Sequence, residues 1–133
     1  MPRKYFSLEE ANNLLPQIKK IILRLKKLQK SIELLNSINI TYIDDMEATL
    51  KNIQLNKTFH KLSHEFYIEF EKILSLGVII KDVEQGLIDF YTLHEDREIF
   101  LCWKYGEDSI QYWHEILDGF PGRKHISKLS KIQ

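Results

Sequence analysis

At Gly77 the spacing of apolar residues changes period, and that change constrains the fold more than any other feature of the chain. Before it, Leu8, Ala11, Leu15, Ile18, Ile22 and Leu25 step by three and four, and Leu14, Ile18, Ile21, Leu25, Leu28, Ile32 and Leu35 form a second such row. Steps of three and four follow the turn of an α-helix. Two overlapping rows make a broad apolar face that can touch two neighbours at once, as in a helical bundle. After Gly77, β-branched and aromatic residues dominate the short runs Val78 to Lys81, Leu87 to Thr92 and Glu98 to Lys104, which read as strands. One chain must therefore join long helices to a small sheet, an α+β fold.

Local signals bound the helices. Ser7-Leu8-Glu9-Glu10 is a capping box, with Phe6 and Ala11 placed where a hydrophobic staple closes it. Pro16 takes away one backbone hydrogen bond and is expected to kink the early turns. Residues 36 to 43 read as a connection, after which Asp44-Asp45-Met46-Glu47 opens a second helix with another capping box and an Ile43 to Ala48 staple. In this helix Met46, Leu50 and Ile53 give way, out of phase, to Leu55, Phe59, Leu62, Phe66, Phe70 and Ile73 before the stop at Gly77. The expectation is a long antiparallel helical hairpin over residues 1–77.

The rest of the chain is shorter in its periods. Gly86 supplies a positive φ ahead of the second strand, and His94-Glu95-Asp96-Arg97 is a polar hairpin tip between the second and third. A three-stranded antiparallel sheet cannot stand alone in water, so one face must pack on the hairpin. Asp108-Ser109-Ile110-Gln111 reads as the cap of a short C-terminal helix ending near Leu117, Gly119, Pro121 and Gly122 as an irregular turn, and residues 124–133 as a basic tail that frays.

Composition bounds the function. At 133 residues the chain fits a single domain. Its 19 basic and 19 acidic side chains cancel, which argues against a generic nucleic-acid binder. The cancellation hides an acidic block: residues 77 to 117 carry 3 basic and 9 acidic groups, net −6, between basic flanks. The one cysteine, Cys102, excludes an internal disulfide and fits a reducing compartment. No apolar run reaches the ~20 residues of a membrane span, because Lys19, Lys20, Arg24, Lys26 and Lys27 interrupt the richest stretch. A cytoplasmic protein is expected, with no membrane partner.

The segment from Lys81 to Arg123 holds both tryptophans, the cysteine and four of the five glycines. Its run Lys81-Asp82, Gly86-Leu87-Ile88-Asp89-Phe90, Leu101-Cys102-Trp103, Gly106-Glu107, Trp113-His114, Gly119-Phe120 and Gly122-Arg123 resembles the prokaryotic family called domain of unknown function 2203. The opening Tyr5-Phe6-Ser7-Leu8-Glu9-Glu10-Ala11-Asn12 with Leu14-Leu15-Pro16 is similar to that family's start, and the likeness is weakest between about residues 36 and 60. The resemblance implies a small cytoplasmic prokaryotic protein whose motif residues belong together. It implies no activity.

Read from the residues, two groups could carry chemistry. Asp89, Cys102, Glu107 and His114, with Asp82 and Arg123 as supporting partners, combine carboxylate, thiolate and imidazole, the ligands of zinc or a similar divalent ion. Their spacing has neither CxxC nor HExxH. On a short helix Glu107 and Asp108 would serve the N-terminal dipole and His114 the C-terminal one, so a structural ion-pair network explains the same residues. His60 and His64 at i, i+4 can chelate from one helical face, but no third ligand is in reach. Cys102 as a nucleophile would use His114 as its base, and its place in an alternating strand beside Phe100 favours burial instead. Arg123 can grip a carboxylate or phosphate, or pair with Asp89 or Glu107.

The sequence thus favours a non-enzymatic scaffold or interaction protein that self-associates through its helical hairpin, in coiled-coil fashion, as a homodimer. The alternative is a metal-dependent hydrolase or metal-binding protein using Asp89, Cys102, Glu107 and His114 with a divalent metal such as zinc. The first reading requires no cofactor.

Overall fold

A computed structural model describes residues 3–38 and 44–129. Helix α1 spans Leu8–Asn36 and α2 spans Asp45–Ser75, and strands β1 (Ile79–Asp82), β2 (Leu87–His94), β3 (Arg97–Lys104), β4 (Tyr112–Glu115) and β5 (Lys124–His125) follow. The strands form one antiparallel sheet in the order β1-β2-β3-β4-β5. The fold is therefore α+β. None of the described helices is long and apolar enough to cross a membrane.

The N-terminal box closes as the sequence dictates: Ser7 Oγ accepts from the Glu10 amide at 3.1 Å, and the Ser7 amide donates to Glu10 Oε1 at 3.0 Å. Phe6 and Ala11 beside it are buried. The Phe6 amide donates to the Tyr91 carbonyl at 2.8 Å and the Thr92 hydroxyl to the Phe6 carbonyl at 2.9 Å, so the start of α1 is pinned to β2. α1 then runs through Pro16 without ending. Asp44 caps α2, its carboxylate accepting from the Glu47 amide at 2.8 Å; Ile43, the other half of the expected staple, lies outside the described residues. Arg24 of α1 reaches Glu65 at 3.3 Å and Glu69 at 3.8 Å on α2, whereas Leu35 and Asn36 share a cleft with Asn52, Leu55 and Asn56. Residue numbers rise along one helix as they fall along the other, so the pair is antiparallel.

Two turns obey backbone sterics. Gly86 has φ +66°, and a Cβ there would meet Tyr105 Cβ at 2.5 Å, so both conformation and contact demand glycine. The β2–β3 hairpin turns on Glu95 and Asp96, both with positive φ, between paired His94 and Arg97. That is the backbone of a two-residue type I′ loop, whose twist suits the flanking strands.

Among the described residues the sheet has five strands where three are expected, and residues 108–117 form no helix. Tyr112, Trp113 and His114 pair with Cys102, Leu101 and Phe100 as β4. The supposed helix cap is used otherwise: the Ile110 amide donates to Asn12 Oδ1 at 2.8 Å, tying this segment to α1. The open edge of β3 outweighs the local capping signal, because Trp113 and His114 suit a strand with one side chain on each face. Lys124–His125 then adds to β4 as the last strand, and the Ile126 amide donates to the Gln111 carbonyl at 2.9 Å.

Register assigns the two faces. Ile80, Ile88, Phe90, Ile99, Leu101, Trp103 and Trp113 point to the helices and join Phe6, Ala11, Leu15, Ile18, Ile22, Leu25 and Ile73 in one core. Asp89, Tyr91, Phe100, Cys102, Tyr112 and His114 alternate with them and take the opposite, outer face.

Candidate functional site

Three neighbouring strands place Asp89 (β2), Cys102 (β3) and His114 (β4) together on the outer face. Asp89 stands directly across from Cys102, and His114 across from Phe100, two residues along the same side of β3. Such direct and diagonal neighbours are within side-chain reach. The three are 1%, 0% and 2% exposed although they lie on the face opposite the helical core. Rings and cations cover this face instead: Tyr91 and Phe100 at 4.7 Å, Phe100 and His114 at 5.3 Å, Lys81 Nζ 5.0 Å above Phe100 and the Arg3 guanidinium 4.7 Å above Tyr91. Cations over ring faces seal apolar surface while keeping their charge near water.

The protonation of the trio follows from its partners. His114 Nδ1 is 2.8 Å from the Glu115 carbonyl oxygen, which can only accept, and Nε2 is 3.0 Å from both Asp89 oxygens. The Glu115 carbonyl thus fixes the proton on Nδ1 and turns Nε2 toward the Asp89 carboxyl group. Burial pulls the His114 pKa down, but the bonds to Asp89 and to the Glu115 carbonyl and the Asp89 charge outweigh it, leaving the pKa above the ordinary histidine value despite Lys81. Burial, then the Asp89 charge, pushes the Cys102 thiol up to about 12. At neutral pH it is a thiol, so Cys102 is not an activated nucleophile.

Glu107, grouped with these residues on sequence grounds, is held elsewhere. Its Oε1 accepts from Arg123 Nη2 at 2.6 Å and from the Lys104 amide at 2.7 Å, while its carbonyl accepts from Trp103 Nε1 at 2.9 Å. Arg123 also donates to the Cys102 carbonyl at 3.3 Å and lies between Tyr112 and Phe120, 4.1 and 4.7 Å from the ring centres. Glu107 and Arg123 thus clamp the β3–β4 connection to the turn at Phe120–Gly122. Asp82 accepts from the Gln85 amide at 3.1 Å and shapes the β1–β2 turn. The sequence groups six residues into one site; the fold divides them into a buried trio, a clamp and a turn. Among the described residues, Asp89, Cys102 and His114 are the one group of three or more potential ligands with donor atoms close together, all within 4.8 Å.

A second unusual surface lies on α2. Of its 31 residues only Ile73 is buried. Phe66, Phe70 and Leu76 pack on the core from the same end. On its far side Met46, Leu50, Ile53, Lys57, His60, His64, Tyr67, Glu71 and Leu74 are exposed and advance by alternating steps of four and three. The apparent phase shift in the sequence is thus two faces: Phe59, Phe66 and their row turn toward α1, and the Met46–Leu74 row turns to solvent. His60 and His64 stand in the exposed row.

The model of a family described as an uncharacterized conserved protein, DUF2203, matches residues 4–126. The chain belongs to that family. No curated protein and no solved structure matches it.

Proposed function

We propose that this member of the DUF2203 family is a non-enzymatic scaffold that self-associates through α2. The observation that carries the reading is the exposed row on α2, where Met46, Leu50, Ile53, Tyr67 and Leu74 are 45–70% exposed. Alternating steps of four and three are the seam of a coiled coil. A second copy laid antiparallel along it meets the same residues in reverse. With the two-fold axis between His60 and His64, Leu50 faces Leu74, Lys57 faces Tyr67 with Glu71 of the second copy one turn away, and the two histidines face each other. The overlap from Leu50 to Leu74 is about 37 Å long at 1.5 Å per residue. Leucines close both ends, and the opposed charges of Lys57 and Glu71 favour this antiparallel register.

The buried trio supports a non-enzymatic reading too. Its thiol is protonated and its three side chains are shut from solvent. A hydrolase would need an open position for water and substrate beside them.

Sedimentation equilibrium of the full chain at micromolar concentration tests the proposal. A dimer is expected, and Leu50→Glu with Ile53→Glu should give a monomer of unchanged circular dichroism. A wild-type chain that stays strictly monomeric refutes self-association, and a double variant that stays dimeric refutes this seam.

A further inference from the structure

We propose that Asp89, Cys102 and His114 bind one divalent transition-metal ion of the zinc class on the outer face of the sheet. Sγ of Cys102, Nε2 of His114 and a carboxylate oxygen of Asp89 lie within 4.8 Å of one another, and both Asp89 oxygens are 3.0 Å from Nε2. Donors bound to zinc at about 2.0–2.3 Å stand about 3.3–3.8 Å apart in a tetrahedron. Small side-chain adjustments reach that spacing. With a bidentate carboxylate the three residues offer four donor atoms, two oxygens, one nitrogen and one sulfur. Sulfur and imidazole select zinc, cobalt or a similar ion over magnesium and calcium, which take oxygen.

Two further features suit a ligand set. The 2.8 Å bond from Nδ1–H to the Glu115 carbonyl fixes the ring with Nε2 toward Asp89 and Cys102, as the outer hydrogen bond of a metal-bound histidine does. The donor set also suits a buried divalent ion: bound Cys102 is a thiolate and bound His114 a neutral imidazole, and the two anionic ligands, thiolate and Asp89 carboxylate, offset the charge of the ion. The burial of all three ligands makes this a structural ion rather than a hydrolytic one.

The test is cobalt(II) binding by the full, untagged chain, unfolded and refolded with the ion under reducing conditions so that closure of the site does not bar entry. Expected are one equivalent of cobalt, a thiolate-to-cobalt charge-transfer band, and a higher unfolding midpoint with zinc than with a chelator. The chain has one cysteine, so the band reports Cys102 alone. Cys102→Ser should abolish it, His114→Gln should weaken binding at least tenfold, and the pair His60→Ala and His64→Ala should leave it intact. A refolded wild-type chain with no band, or with a midpoint indifferent to zinc, overturns the proposal. So does a band that disappears in the His60 and His64 variant. These wild-type readings stand even where a trio variant fails to fold.

Discussion

The body of the molecule, formed by the sheet and α1 as far as Leu28, differs from the arm, formed by the rest of α1 and the outer two thirds of α2. In the body α1 buries Ala11, Leu15, Ile18, Ile21, Ile22, Leu25 and Leu28, and even the charged pair Asp89 and His114 is closed off. In the arm the two helices pack on each other, and Leu34, Met46, Leu50 and Ile53 remain 60%, 70%, 55% and 47% exposed. Both helices carry apolar rows, so amphipathicity alone does not decide burial. What decides it is whether a second layer is present to receive the row.

The sharpest way to break this contrast is to open the body at its polar trio. His114→Ala leaves the Asp89 carboxylate buried without its cation, and the expected loss is about 4 kcal/mol of unfolding free energy, measured in urea with a chelator present. The same pair sets a pH dependence in the metal-free protein. The His114 pKa is raised in the folded state, so its contribution is complete below the unfolded value of about 6.5 and fades as pH rises through the higher folded value. Urea midpoints from pH 5 to 9 should fall across that window in wild type and lose this slope in His114→Ala.

Next in size is the apolar layer. Leu25→Ala, at a fully buried position on α1, should cost about 3 kcal/mol. Ser7→Ala removes one half of the capping box, for about 1 kcal/mol in the same measurement. The smallest effect belongs to the arm. Leu50→Ala, at a position 55% exposed, should change the stability of the monomer by less than about 0.5 kcal/mol. A loss as large as that of Leu25→Ala, measured where the chain is monomeric, would erase the distinction between body and arm.

Particular residues show how far the sequence can be read. The Ser7 and Glu10 box, the Asp44 cap, the positive φ of Gly86 and the His94–Arg97 hairpin all depend on groups a few residues apart, and each has a local signature. The reading of residues 108–117 failed because it stayed local. Asp108 and Ser109 resemble a helix cap, but Tyr112, Trp113 and His114 had a free strand edge to join. Their aromatic character and the alternation of Trp113 inward with His114 outward were the signal for β4. Once the strand is lost, so is the site, because a helix would have carried His114 away from Asp89.

The two long helices with their caps at Ser7 and Asp44, the strands β1 to β3 with the turns at Gly86 and His94–Arg97, and the family of the chain were determined by the sequence alone, because these rest on residue type and short spacing. The tertiary structure decided the rest. It brought Asp89 and His114, 25 residues apart, to 3.0 Å, sent Glu107 to Arg123 instead, and turned one row of α2 to solvent. The reason is that strand pairing and layer packing are contests between distant segments for the same edges and faces. No short stretch contains the competitor that wins.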